Sequence, residues 1–180
     1  MRTDFIDLAL RTKADTFFPA PAVIQDMAVL LVTIAIAAEE LDRCKKSLFY
    51  GKPYETADFG DLVVFLKDHV LTDGGVIPTE YEGDVDLLHG VVGLATELGE
   101  LITPLVNEWM KDEEIDRVNL VEEIGDLLWY QALVLKVLGS DFATASDKVV
   151  NKLRIRYPEK FTEDQALNRN LEEERAVLEA

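Results

Sequence analysis

Apolar positions along this chain recur at the three-to-four-residue spacing of amphipathic helices, and the sustained alternation that builds strands is missing. The pattern predicts a short helix from Thr3 to about Ala14, broken by Pro19 and Pro21. A long, mostly buried helix follows from about Ala22 to Leu48, ended by Gly51 and Pro53. A third helix is expected over roughly Ala57 to Leu71. The clearest loop, Thr72 to Gly83, holds Gly74, Gly75, Pro78 and Gly83. A fourth helix starts near Asp84 and reaches about Met110, with Leu87, Val91, Leu94, Leu98, Leu101, Ile102 and Leu105 in one stripe. A fifth runs from about Ile115 to Leu138; its second half, LLWYQALVLKVL, is apolar nearly all round and is expected to be central. Gly139 reads as a stop, and Ser140 or Asp141 as the cap of a sixth helix that ends at Tyr157-Pro158. From Thr162 the tail opens with Thr-x-x-Gln, a capping-box pattern, and continues as an exposed charged helix or an arm on a neighbouring subunit.

These elements predict an all-α fold with a four-helix core of two helical hairpins, short flanking helices and a charged C-terminal tail. The segment IAIAAEELDRCKK echoes GLATELGELITPL, and DFGDLVVF echoes EIGDLLWY. In that alignment Glu40 matches Glu100 and Asp61 matches Asp126, but Ala37 stands where Glu97 would be. Two readings follow: chance likeness between amphipathic helix pairs, or a duplicated hairpin whose first copy lost its acids. The domain is expected over 1–161, with the site on the second hairpin, 84–138, and the tail over 162–180.

Composition narrows the picture. A chain of 180 residues suits one domain or two packed halves, and 48% hydrophobic residues exclude disorder. The formal net charge of -17 repels nucleic-acid backbones, so long DNA or RNA is not an expected partner. Cys44 is the one cysteine, which excludes a disulfide framework and a CxxC site. The apolar run Met27 to Ala38 is about a dozen residues, whereas a spanning helix needs roughly 20. MRTDFIDLAL carries acids early and does not read as a signal peptide. The expectation is a cytoplasmic protein with no membrane partner.

Against this background the acids of the second hairpin gain meaning. Glu97 and Glu100 are three apart and share a helix face with His89 and Gly93. Asn119, Glu123, Asp126 and Tyr130 fall on one arc of the next helix. If the two helices bury their stripes together, four carboxylates converge, and they would repel strongly without a cation. Oxygen ligands of that kind suit Mg²⁺, with Mn²⁺ as a substitute. An isolated E-x-x-E is commonly a solvated face; two acid pairs beside apolar stripes carry more weight. A di-iron bundle needs E-x-x-H on two helices, and His69 and His89 do not supply it.

Gly93, Gly99 and Gly125 inside helices suggest close backbone approach or room for a ligand. Pro104 predicts a kink just after Glu100, or helix termination there. Lys148, Lys152 and Arg156 recur every fourth residue with Asn151 alongside. The strip would meet phosphate oxygens, or pair with nearby acids as a solvated face. A non-catalytic acidic scaffold is the competing class of function, motivated by the charge and the degraded first copy.

The run GLATELGELI…NLVEEIGDLLWY, followed by NKLRIRYPEKF, resembles the MazG-like all-alpha nucleoside triphosphate pyrophosphohydrolases of bacteria and phages. KKSLFYGKP resembles a segment that some members carry between the two acid motifs, but here it follows the first, degenerate copy. The resemblance spans Leu87 to Phe161. It implies metal-dependent hydrolysis of a nucleoside or deoxynucleoside triphosphate to the monophosphate and pyrophosphate. Glu97, Glu100, Glu123 and Asp126 would be the metal ligands, and one of them or Glu122 would orient or deprotonate the water. Tyr130, Asn151, Lys152, Arg156 and Tyr157 would face phosphates or sugar, with Lys148 on the same strip, and His89 is a candidate for base contact. Thr96 stands where the family has a further Glu. A homodimer or homotetramer, with sites shared between chains, is also implied.

Overall fold

The computed structural model describes residues 4–14, 16–54 and 79–179; the expected third helix, Asp61 and most of the loop before Gly83 lie outside them. The described residues are helical, and none is in a strand. Helix α1 is Phe5–Ala9, extended by one 3-10 turn, Leu10–Thr12. Helix α2 is Pro21–Tyr50, α3 is Val85–Lys111 and α4 is Arg117–Val137. Helix α5 is Phe142–Arg156, α6 is Glu163–Leu167 and α7 is Leu171–Glu179.

Local chemistry sets most of these boundaries. The Asp84 carboxylate accepts from the Leu87 N–H at 2.9 Å, starting α3. Asp116 accepts from Val118 and Asn119, starting α4. Asp141 accepts from the Thr144 N–H at 2.8 Å, which starts α5 and lowers the Asp141 pKa. Thr162 accepts from the Gln165 N–H and donates to its side-chain oxygen, as the Thr-x-x-Gln pattern predicts. Gly139 closes the end of α4 at φ +63, a left-handed conformation that glycine adopts without strain.

The chain divides into two compact units, Met1–Phe18 with Tyr81–Thr144, and Pro19–Glu80 with Ala145–Ala180. In the first, α3 and α4 form the expected hairpin around the buried Ala132 and Leu133 of α4. The N-terminal segment straps this hairpin. The Lys13 ammonium reaches both Asp86 oxygens at 2.8 and 2.9 Å, and the Trp129 indole N–H donates to the Ala9 carbonyl at 2.7 Å.

The second unit departs from expectation. Helix α2 was expected to be mostly buried, yet Ile24 is its one buried residue, and Leu30, Leu41, Leu48 and Phe49 are exposed. Among the described residues few apolar side chains cover it, although α6 packs on it. By length and composition alone α2 could cross a membrane, which its dozen-residue apolar run did not suggest. In the tail, α7 is a mostly exposed helix whose buried Glu174 pairs with Arg156 of α5.

Two further expectations change. Helix α3 runs through Pro104 to Lys111 without terminating. Only one amide donor is lost there, and the remaining ladder carries the helix on. Gly99 and Gly125 were expected to mark close backbone approach or room for a ligand, and a Cβ built at either meets no neighbour within 4 Å among the described residues, which speaks against close approach. Gly99→Ala and Gly125→Ala are each expected to raise stability by up to about 1 kcal/mol, from helix propensity alone. Thermal unfolding checks this; a lowered Tm would show that something else packs there.

Candidate functional site

The two helices of the hairpin meet through small and acidic residues. Gly90 lies against Val134 and the Tyr130 carbonyl, and Gly93 lies under the Tyr130 ring. Numbers rise along α3 as they fall along α4, so the pair is antiparallel. Only part of the stripe read from the sequence is covered: Leu87, Leu94 and Leu101 are half-buried. Leu98, Ile102, Leu105 and Trp109, roughly a quarter turn round α3 from Glu97, remain exposed. Glycines at positions 90 and 93 let the backbones approach where larger side chains would hold them apart, and the acid-bearing face is drawn inward.

The consequence is a cluster of carboxylates. Ligand oxygens of Glu97, Glu100 and Glu123 lie within 4.8 Å of one another. Glu123 is 6% exposed and accepts a 2.8 Å hydrogen bond from the Asn119 amide, one turn earlier on α4. Glu97 is half-buried and Glu100 exposed, so the cluster runs from the helix seam to the surface. Asp126 falls outside this tight group, yet its charge reaches both Glu97 and Tyr130. Burial raises the Glu97 pKa, reinforced by the charges of Glu100, Asp126 and Glu123 and by a hydrogen bond with Glu123. None of the ion pairs among the described residues engages these acids. Three adjacent carboxylates without a cationic side chain, one of them buried, fit a hard divalent cation: oxygen donors would surround it and its charge would cancel their repulsion.

Aromatic residues flank the acids. Tyr130 packs edge-on against Trp129 at 4.8 Å and His89 at 5.8 Å between ring centres. Burial, then the charges of Glu97, Asp126 and Glu100, raise the Tyr130 pKa. The phenol therefore stays a neutral hydrogen-bond donor beside the cluster.

The other sequence candidates have different surroundings. Glu122 is exposed and is not one of the clustered acids. Thr96 is exposed and donates to the Gly93 carbonyl. Lys148, Asn151, Lys152, Arg156 and Tyr157 belong to the second unit. There the Lys148 ammonium donates to the Leu178 carbonyl, and Asn151 accepts from Arg154. Arg156 pairs with Glu174 and lies 5.8 Å over the Tyr157 ring, which packs on Phe161. Sequence reasoning missed Glu174 and Arg169, whose roles have no local signal. The Asn119–Glu123 bond was available from their four-residue spacing.

Comparison with known families decides the class. Residues 88–161 match the model of the MazG nucleotide pyrophosphohydrolase domain. Over that segment the chain is similar to MazG domains. No curated protein and no solved structure matches it. The MazG match begins one residue before His89 and ends at Phe161, so it takes in the acid cluster on α3 and α4 and the cations of α5. The match supports nucleotide pyrophosphohydrolase chemistry in general on an all-α scaffold, in a family that generally depends on divalent metal.

Proposed function

We propose that the chain hydrolyses a nucleoside or deoxynucleoside triphosphate to the monophosphate and pyrophosphate, using Mg²⁺ or Mn²⁺. The observation that supports this most is the convergence of Glu97, Glu100 and Glu123 inside the MazG segment. These three, joined by Asp126, would hold the metal. Bound there, a divalent ion would neutralise phosphate charge and lower the pKa of water. The water oxygen attacks the α-phosphorus while its proton passes to one of the cluster acids or Glu122; the bond from that phosphorus to the bridging oxygen breaks, and pyrophosphate leaves. Asn119 fixes the Glu123 carboxylate before substrate arrives. Tyr130, protonated beside the acids, would donate to a phosphate or sugar oxygen. Pyrophosphate release measured across all ribo- and deoxyribonucleoside triphosphates with each metal tests the proposal; no cleavage of any triphosphate would refute it. A non-catalytic acidic scaffold predicts no metal response at all.

Metal binding should also depend on pH with a definite sign. Folded Glu97 keeps its proton to higher pH than the unfolded chain does. As pH rises from the ordinary carboxylate value of 4.5 through the raised Glu97 value, the metal-free fold loses stability. The ion competes with that proton, so the Tm gain from Mg²⁺ or Mn²⁺ is expected to be larger at pH 7 than at pH 5. Calorimetric scans at the two pH values check it; equal gains would contradict the ligand role of Glu97.

A further inference from the structure

The strongest cation of α5 already has an anion. The Arg156 guanidinium donates to Glu174 of α7 through Nε, at 2.8 Å, and through a terminal nitrogen. Arg169, on the link between α6 and α7, makes the same two-pronged contact with that carboxylate, 2.6 Å at its shorter bond. Glu174 is 4% exposed and is the one buried residue of α7. Lys148, two turns before Arg156, donates to the Leu178 carbonyl of the same helix. Helix α7 thus covers both ends of the Lys148–Lys152–Arg156 strip.

Several features suit a replaceable ligand better than a fixed seam. Two guanidinium forks on one carboxylate leave an excess positive charge, and forks of this kind match the oxygens of a phosphate. No apolar residue of α7 is fully buried: Leu171 is exposed and only Val177 and Leu178 are half-buried, so the buried Glu174 ion pairs are its best-shielded contact. Elements held by few buried apolar contacts open at low free-energy cost. Its first turn carries Glu172, Glu173 and Glu174 in a chain of net charge -17, and of the three Glu174 is the one that meets Arg156. Arg156 and then Arg169 hold the Glu174 carboxyl at about 2, so protonation does not release it near neutral pH; a competing anion can.

We propose that Arg156 and Arg169 form an oxyanion-binding site, occupied in the resting chain by Glu174, and that the polyphosphate group of a nucleotide displaces α7 from it. The identity of the anion rests on the pyrophosphohydrolase reading; the site itself does not. Hydrogen exchange of residues 171–179 in the unaltered full-length chain, with and without saturating tripolyphosphate and without metal, reads the displacement. The α7 amides are expected to exchange about 5-fold faster or more with the probe present. Unchanged or slower exchange would overturn the proposal. Glu174→Gln keeps the shape and removes the charge. It is expected to tighten tripolyphosphate binding about 5-fold or more. Unaltered affinity would also overturn it, and should that variant not fold, exchange in the unaltered chain decides. Displacement of α7 without hydrolysis of any triphosphate would leave the site standing and sink the functional reading. Hydrolysis with α7 unmoved would do the reverse.

Discussion

Glu123→Gln is expected to cut pyrophosphate release by more than roughly 100-fold, since loss of mere supporting contacts at metal sites costs 10- to 100-fold. Glu123 is the most buried of the clustered acids and the one fixed in place by another side chain, Asn119. Glutamine retains the volume and an oxygen that Asn119 can still reach, but not the anionic ligand. Its effect on stability should have the opposite sign. Removing one charge from a cluster in which Glu97 already resists ionisation relieves repulsion, so the metal-free Tm should hold or rise. The Tm gain from added Mg²⁺ or Mn²⁺ should shrink. Activity assays paired with melting curves separate this outcome from simple misfolding, which would lower both. A rate within a few-fold of the unaltered chain would remove Glu123 from the chemistry.

Gly93→Ala is the second large effect. A Cβ at position 93 would stand 2.0 to 2.4 Å from three atoms of the Tyr130 ring, far inside contact distance. The whole ring would have to leave, because it is already bounded by Trp129 and His89. Overpacking of this kind costs about 1–3 kcal/mol, and in a chain of this size each kcal/mol lowers Tm by roughly 2–4 °C. The displaced phenol would no longer sit beside Glu97, so KM for the triphosphate should rise as well. Gly99→Ala, on the same helix but facing open space, is the control with the opposite expected sign. If both variants melt alike, the close packing of Tyr130 on Gly93 is wrong.

The contrast between those glycines shows where sequence reasoning reaches its limit. All three had the same standing in the sequence, as helix-breaking residues inside amphipathic segments. Only the placement of α4 distinguishes Gly93, under Tyr130, from Gly99 and Gly125, which meet nothing among the described residues. The apolar stripe of α3 carries the same lesson. Periodicity located it correctly, but which face meets α4 was settled by the small residues at 90 and 93. Leu98, Leu105 and Trp109 were left outside as a result.

Sequence alone determined the all-α character, the start of α3 near Asp84, the cap at Thr162, a cap at Ser140 or Asp141, and the acid spacing within the MazG-like segment. These depend on interactions within a turn or two of helix, and such interactions are written in neighbouring residues. The tertiary structure alone decided that Trp129 is tied to Ala9, 120 residues away, and that Arg156 is held by Glu174, 18 residues away. It also decided that three of the four expected acids draw within 4.8 Å while Asp126 acts on Glu97 through its field. Contacts between distant residues depend on how whole helices pack, and no local pattern encodes that choice.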